Sequence, residues 1–573
     1  MKRKVIYGMM IAALLSSILP GCGDFQDVKA ESKEEATLTG GKDLYGYEEP
    51  ITLKVGLSYA LDFVWAGEEN SENNSWMDLY REHNIYPEIL YNVDISQADS
   101  KLSTAMISGN YPDIFQASTS DYLNYVGEGV VADITEAYEK YASDELKEYM
   151  MSDEGEALRI LTVDGKLYGL PRLGNPYEEC SIMFIRQDWL DNLNLKVPET
   201  MDELKEAAHA FTYGDPDGNG VDDTYGIAMN GIDLFSNTIG DSNPIFNAYG
   251  VYFGSDGMAL IENEDGEIIW GGANGEGMKS ALTLLQELYQ DGSLTKDFLT
   301  MDGDAIFEEA GSGRCGIWFG PSWAGMIPAV NAAMLDKNAH VVAIPLPDGG
   351  GVEDGKAYLS HSINEIHCIS SKCENPEALV KMMNLSVQKI CNPKDEEEYR
   401  KYNGDNAQYT GWKASLLQLQ PYDKGSENWK AESRALKTGE SDGLNLSQRA
   451  EVGYMREYLK AMEEGRVDPE DKGQYMGITM YTLYGDPQSA WAVITEMMEK
   501  DDFIKSANST LPSSEVTEVA GTLKNLTTET IIKIITGDPV EDYDSFLDTW
   551  YALGGQKAVR DANDRTKEAS VKE

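Results

Sequence analysis

The chain has 573 residues and a formal net charge of -51 at pH 7, from 47 Lys and Arg against 98 Asp and Glu. That excess repels phosphate backbones and anionic headgroups, which argues against nucleic-acid binding and against charge-driven adsorption to lipid. With 42% hydrophobic and 10% aromatic residues the chain still buries a large core, and its length calls for two or more domains.

The N-terminus reads Met1-Lys2-Arg3-Lys4, then an apolar stretch over 5–19, then Leu19-Pro20-Gly21-Cys22. A basic start and a short apolar run form an export signal, residues 1–21; a spanning helix needs roughly 20 apolar residues. A cysteine at the cleavage point, followed by Gly23-Asp24, resembles a bacterial lipobox, with Pro20 departing from the usual small residue. The resemblance implies that Cys22 carries the lipid. Removing Lys2, Arg3 and Lys4 leaves the mature chain at -54 (-51 minus 3). Residues 22–49 are polar and acidic, a flexible tether with a reach of roughly 30 Å. No later apolar run is long enough to span a membrane.

Ile51, Leu53, Val55 and Leu57 alternate with other residues and predict a strand. A helix is expected over 97–108, with Leu102, Ala105 and Met106 inward and Gly109 as its stop. Pro112-Asp113-Ile114-Phe115 opens a second strand. Strand, helix, strand begins an α/β layer. Residues 165–171 are a turn and short strand, and 181–186 another strand. Thr200 and Glu203 form a capping box for a helix with Met201, Leu204, Ala208 and Phe211 on one face. A long helix over 275–291 has Met278, Leu282, Leu285 and Leu288 inward and Gly292 as stop. Residues 316–320 and 341–344 read as buried strands. Asn375-Pro376-Glu377 opens a further helix with Leu379, Val380 and Met383 inward. Residues 391–450 read as polar and irregular, and the remainder returns to helix. Beyond Cys22 there are five cysteines, an odd number, so at least one is unpaired and no disulfide framework is expected.

Six phrases in order resemble bacterial extracellular solute-binding proteins, the substrate-binding lipoproteins of ABC importers. They are Ile107-Ser108-Gly109-Asn110-Tyr111-Pro112-Asp113-Ile114, Asp164-Gly165-Lys166-Leu167-Tyr168-Gly169-Leu170-Pro171 and Phe184-Ile185-Arg186-Gln187-Asp188-Trp189-Leu190. Gly313-Arg314-Cys315-Gly316-Ile317-Trp318-Phe319-Gly320, Asn375-Pro376-Glu377-Ala378 and Ile534-Ile535-Thr536-Gly537 complete them. The resemblance implies an α/β, two-lobed, type II periplasmic-binding-protein-like fold, a Venus-flytrap with crossing hinge strands. The expected lobes are 50–170 with 352–430, and 171–351 with 431–573. It further implies a carbohydrate ligand, an oligosaccharide in this branch, trapped by hinge closure and passed unaltered to an ABC permease. The chain is then no enzyme, and a monomer held outside the cell membrane by its lipid. Two rivals remain: a secreted carbohydrate-active enzyme, and a ligand-sensing lipoprotein coupled to a membrane kinase.

Sugar sites stack aromatic faces on rings and use amides and carboxylates for hydroxyls, on loops that follow strands. The expected ligand-binding residues are Trp65, Glu68, Asn70 and Asn74 after the first strand, and Asp121 and Tyr122 after the second. Arg172, Tyr177 and Glu178 come from the hinge, with Trp323 and Tyr358 beyond it. Trp189 and Trp550 are assigned to packing, and Trp318 to the core.

Asp215-Pro216-Asp217-Gly218-Asn219-Gly220-Val221-Asp222-Asp223-Thr224 carries EF-hand spacing. Asp215, Asp217, Asn219, the Val221 carbonyl and Asp223 supply the oxygens that Ca²⁺ prefers. Position 12 is Gly226 where an EF-hand has glutamate. Similar loops in alginate-binding members of the family have an acid at position 10, where this chain has Thr224. Either Asp223 binds with both oxygens or water completes the cage. A structural Ca²⁺ is expected, against the alternative of a polar surface turn. Gly311-Ser312-Gly313-Arg314-Cys315-Gly316 matches a dinucleotide pattern but precedes a strand, so its geometry is wrong for a nucleotide. His361, His367, Cys368 and Cys373 lie close in sequence, yet His367 and Cys368 point to opposite faces of a strand, against zinc.

Overall fold

The computed structural model describes residues 42–59, 63–350, 355–404, 411–507 and 513–572. The export signal, Cys22 and most of the 22–49 tether lie outside the described residues.

The chain forms two α/β units and passes between them three times. One unit takes the chain up to Gly174 and the stretch Ser362–Tyr422; the other takes Asn175–His361 and everything from Asp423. The crossings therefore fall after 174, 361 and 422 instead of after 170, 351 and 430. Strand pairing places the first two. Gly169–Leu173 and Ile363–Ile369 hydrogen-bond to each other, so both belong whole to the first unit. There the Gly174 N–H donates to the Ser362 carbonyl at 2.8 Å.

In the first unit five strands form one sheet, in the order Ile85–Asp94, Ile51–Tyr59, Ile114–Ala117, Ile363–Ile369, Gly169–Leu173. The first three are parallel, and Ile363–Ile369 is antiparallel to both its neighbours. Leu53, Val55 and Leu57 are buried, as their alternation predicts. The helix Ser75–Glu82 and the strand Ile85–Asp94 lie between the first strand and the helix Ala98–Ser108. Trp76 of that helix is in the core, where its indole N–H donates to the Gly411 carbonyl at 2.9 Å. The helix Ala98–Ser108 ends at Gly109, whose φ of 73° is left-handed; of its three expected inward residues only Ala105 is fully buried.

The second unit holds a four-stranded sheet, Val341–Ile344, Ile182–Arg186, Cys315–Gly320, Tyr225–Ile227. Ile182–Arg186 is antiparallel to both neighbours. The capping box is present on Met201–Tyr213, with both the Thr200 side chain and the Glu203 carboxylate satisfying backbone N–H groups. Phe211 of that helix meets Trp189 edge-on at 5.3 Å. A Cβ on Gly316 would fall 2.2 Å from the Phe211 ring, so only glycine lets the strand pass. Gly275–Asp291 buries Met278, Leu282, Leu285 and Leu288 and ends at Gly292 with φ 91°. Trp270 and Trp550 stack at 3.8 Å and 10° in the same core. Trp189 and Trp318 are fully buried too.

Two expectations need correction. About half of the described residues in 391–450 are helical, in Glu396–Tyr402, Lys424–Thr438 and the start of Leu446–Glu463. Within 391–450 their buried positions include Asn428, Glu432, Ser447 and Gln448, which mute the apolar stripe. The helix after Asn375-Pro376 begins only at Ala378, and its cap, Glu377, accepts no side-chain hydrogen bond. Every residue of Ala378–Ser386 is buried; the helix is a core element on all sides.

Candidate functional site

Each unit carries its own recess. In the first unit an open recess lies at the carboxyl half of Ile51–Tyr59. In α/β sheets this is where ligands collect. Ser58 and Tyr59 come from that strand, Tyr91 from its parallel neighbour and Gln116 from Ile114–Ala117. Asp99 is in the first turn of Ala98–Ser108, and Lys413, Ser415 and Gln418 come from the returning chain. The register of the two parallel strands slips between Val55 and Gly56. A Cβ on Gly56 would fall 2.3 Å from Tyr91 Cζ, so glycine lets the phenol lie across the sheet. The Lys101 ammonium lies 5.6 Å from the Tyr91 ring centroid. Burial raises the Tyr59 and Tyr91 pKa values, which keeps both phenols neutral donors at physiological pH.

The second unit has a smaller recess. Pro176 and Glu179 line it from the short helix Pro176–Glu179, Ser181 from the head of a sheet strand, and Tyr358 from Ala357–Leu359. Asn237 enters in the left-handed region at φ 48°. The carboxylate of Asp241 is the centre of the wall and is fully buried. Ser181 Oγ donates to it at 2.6 Å, and Asn243 donates through its backbone N–H (3.1 Å) and Nδ2 (3.0 Å). Burial pushes the Asp241 pKa up to about 6 despite those donors. Asn243 Nδ2 also reaches the Gly254 carbonyl at 3.2 Å. Its Oδ1 and the hydroxyl of nearby Ser236 are buried with no partner. An unpaired buried acceptor is costly unless something supplies a donor.

The expected site residues divide. Tyr358 lines the second recess. Trp65 lies beside the first, edge-on to recess residue Tyr59 at 4.9 Å and to Phe63 at 4.7 Å. Arg172 lies 5.3 Å from the Trp412 ring and 3.3 Å from Glu365. Tyr177 meets Phe503 edge-on at 5.0 Å, and Glu178 sits half-buried in the same helix. Trp323 is half-buried and stacked on Phe307 at 6.3 Å. Glu68 is exposed, and Asn70 Oδ1 takes the backbone N–H groups of Glu72 and Asn73 in a turn. Asp121 is paired with Ser118 at the start of Thr119–Gly127.

Two of the expected residues are structural. Asn74 is buried and caps Ser75–Glu82, accepting from Trp76 N and Met77 N at 3.1 Å. Tyr122 is fully buried, its hydroxyl donating to the Leu161 carbonyl at 2.7 Å. Both side chains are spent inside the first unit. The recess residues absent from the sequence-based set are mostly on strands or on the chain that returns late, as with Ser58, Gln116 and Gln418. Asp241-Ser242-Asn243-Pro244, a polar run opening the helix Asn243–Asn247, is the one local signal that would have found the second recess.

The 215–224 loop keeps its oxygens together without gathering them. Asn219 Nδ2 donates to Asp217 at 2.7 Å and to Asp223 at 3.2 Å, while Asn219 Oδ1 accepts from Val221 N. The Gly220 N–H lies 3.1 Å from Asp215 Oδ2. Burial raises the Asp217 pKa, and the charges of Asp223 and Asp215 add to the rise. A carboxylate crowded by carboxylates fits a cation as its missing partner. Thr224 is turned into the core, donating to the Phe211 carbonyl at 2.8 Å, so position 10 contributes nothing to the loop. Among the described residues no three His, Cys, Asp or Glu side chains stand close enough to hold a metal by themselves. His367 is buried with Nε2 3.1 Å from the Gln418 carbonyl. The five described cysteines are free.

The model of the bacterial extracellular solute-binding protein family matches residues 90–386, more than half of the chain. The chain belongs to this family. A relative from Bacillus subtilis, the polygalacturonan/rhamnogalacturonan-binding protein YtcQ, is 26% identical over 99% of both chains. Lipoprotein LipO of the same organism is 30% identical across 39% of this chain and 41% of its own. Among solved structures, an EF-hand mutant of the Streptococcus pneumoniae ABC-transporter substrate-binding protein FusA, in complex with fructo-nystose, superposes with a TM-score of 0.60. It is 15% identical, covering 91% of this chain and all of that one. At that identity the likeness is one of fold: two-lobed, α/β and of the solute-binding type. Among the described residues of this solute-binding protein no helix is long and apolar enough to cross a membrane.

Proposed function

We propose that the chain is the lipid-anchored, substrate-binding protein of an ABC importer. It captures a carbohydrate, in particular an oligosaccharide, by closure of its two units, and releases it chemically unchanged. The observation that carries this reading is the pair of recesses walled by hydroxyls, amides, carboxylates and phenols. Such groups exchange hydrogen bonds with sugar hydroxyls, and aromatic faces such as Tyr91 meet the C–H faces of sugar rings. The glycan named for YtcQ and the fructo-nystose bound to FusA support it. The basic-apolar-Cys22 order, with a relative named as a lipoprotein, supports the anchor.

A thermal-shift screen of the mature chain against mono- and oligosaccharides tests it. A ligand at a hundred times its Kd adds about 2.7 kcal/mol, which raises Tm by roughly 5–10 °C in units of this size. Flat responses to every glycan with a shift for peptides would replace carbohydrate by peptide. Recovery of a cleaved glycan after incubation would replace the carrier by an enzyme.

The 215–224 loop is proposed to hold a structural Ca²⁺ through Asp215, Asp217, Asn219, the Val221 carbonyl and Asp223. The cation would relieve the crowding of three carboxylates and pin the segment between the Met201–Tyr213 helix and the Tyr225–Ile227 strand. EDTA is expected to lower Tm by several degrees, and excess Ca²⁺, but not Mg²⁺, to restore it. A melt indifferent to both removes the metal from the proposal.

A further inference from the structure

We infer that the first unit reads two consecutive rings of one glycan, the first in its recess against Tyr91 and the next on a rim platform made by Trp65. The inference rests on the carbohydrate reading and narrows it to chain length. Seven of the ten tryptophans are buried; Trp65, Trp323 and Trp429 are half-buried. Trp323 is stacked at 22° on Phe307, and Trp429 lies on the helix Lys424–Thr438. Trp65 stands just past the carboxyl end of Ile51–Tyr59, where ligands of α/β sheets collect.

Three rings form the rim. Trp65 meets Tyr59 edge-on at 73° and Phe63 edge-on at 70°. Tyr59 and Phe63 are tilted by 38° with their centroids 5.5 Å apart. Among the described residues no ring lies flat on the indole. The two neighbours therefore brace Trp65, and it stays partly open to solvent, as they do. Rings of the first unit that serve packing alone, such as Trp76, Tyr80 and Tyr122, are fully buried. Tyr59 belongs to both places, since it lines the recess and touches Trp65 at 4.9 Å. Aromatic surface thus runs from the recess onto the rim through one ring contact. Inside the recess the Tyr91 phenol over Gly56 is the matching platform, with Ser58 and Gln116 in the same wall for hydroxyls.

The segment after Trp65 is fixed before any ligand arrives. The Glu69 N–H donates to the Ala66 carbonyl at 2.9 Å. Ser75 donates to Glu69 Oε1 through its N–H (2.9 Å) and Oγ (2.6 Å). Asn92, next to Tyr91 in its strand, donates through Nδ2 to Ser71 Oγ at 2.7 Å. A platform held in this way loses little freedom on binding. A single ring at Tyr91 leaves the indole bare. A second ring lays its C–H face on it, so added length should be gained at Trp65.

The test titrates the mature chain with one glycan series from monosaccharide to tetrasaccharide. The series is the tightest binder among fructo-, galacto- and malto-oligosaccharides and oligogalacturonides, with the weak monosaccharide read by displacement. Trp65→Ala is expected to weaken the tetrasaccharide tenfold or more and the monosaccharide less than twofold, and Trp65→Tyr to recover most of that loss. Trp429→Ala, in the other unit, should leave both affinities unchanged. A second measurement needs no variant: oxidation of Trp65 by N-bromosuccinimide, followed by peptide mass spectrometry, should be blocked by the tetrasaccharide and proceed under the monosaccharide. Equal losses on the two sugars, or no loss on either, would overturn the inference. So would oxidation of Trp65 at the ligand-free rate under saturating tetrasaccharide. Each of these leaves the carbohydrate reading standing. Failure of all four series to bind would overturn the inference and that reading together.

Discussion

Trp550→Ala is expected to destabilise the second unit by about 3–5 kcal/mol, in the range for removing a large buried aromatic. The indole is fully buried and stacks on Trp270 at 3.8 Å. Trp270 is anchored in turn, its Nε1 donating to the Gly257 carbonyl at 3.1 Å. The pair joins the strand Ile268–Trp270 to the helix Asp542–Trp550, so it fastens the last helices to a sheet made nearly three hundred residues earlier. Gly555 packs so tightly on the far side of the ring that a Cβ would fall 2.0 Å from it. The space left by alanine is therefore walled by backbone, which relaxes poorly. Trp550→Phe should cost less than half as much, because a smaller ring still stacks. Urea unfolding followed through the second unit's transition reads both effects; a loss under 1 kcal/mol for alanine would mean that the C-terminal helices do not share that unit's cooperative core.

Glu432→Gln is expected to stabilise the protein at pH 7–8 by roughly 1–3 kcal/mol and to leave it unchanged near pH 4. Glu432 is fully buried on Lys424–Thr438, and neither carboxyl oxygen receives a donor. Burial first, and the charge of Glu451 second, hold its pKa well above the ordinary value of 4.5. Glu451 already takes Ser447 Oγ at 2.7 Å and Asn428 Nδ2 at 3.2 Å. A protonated Glu432 has Glu451 beside it as acceptor. The folded pKa exceeds the unfolded one, so the native state binds the extra proton. Stability is then greatest below about pH 4.5 and falls as pH climbs from there toward the folded pKa. Each unit of that shift corresponds to about 1.4 kcal/mol. Glutamine offers Glu451 an N–H with no proton to hold, so the decline should flatten. Chemical denaturation at pH 4, 6 and 8 measures it. A variant weaker than the parent at pH 8 would show that Glu432 is ionised and satisfied in the native state.

The same two helices explain where sequence reading fails. Lys424–Thr438 and the first turns of Leu446–Glu463 turn Asn428, Glu432, Gln448 and Glu451 inward, so hydrophobic periodicity is muted there and recovers only from Val452, Met455 and Tyr458 onward. The edge strand Ile85–Asp94 alternates only weakly between half-buried and exposed positions and contains Pro87, which also silences the strand signal. Where one face is apolar and the ends carry capping chemistry, the elements are legible: Thr200 with Glu203, Gly275–Asp291 closed by Gly292, and Val341–Ile344. Site residues are harder for a different reason. Loop position in the sequence marks exposure, and so picks Trp65 and Tyr358. It also picks Asn74 and Tyr122, which fold back to serve their own helix and core. The walls built from strand ends and from the 411–418 return depend on pairings distant in the chain.

The position of Ile363–Ile369 between two strands made much earlier has a consequence for biogenesis. Until that strand emerges, Ile114–Ala117 and Gly169–Leu173 have no partner between them, and the whole Asn175–His361 segment must be synthesised first. Under the export proposed above, a chain led by its amino end would emerge with its leading half unable to close its sheet. That delay would keep the chain threadable during the proposed export and leave its first sheet dependent on late residues to close.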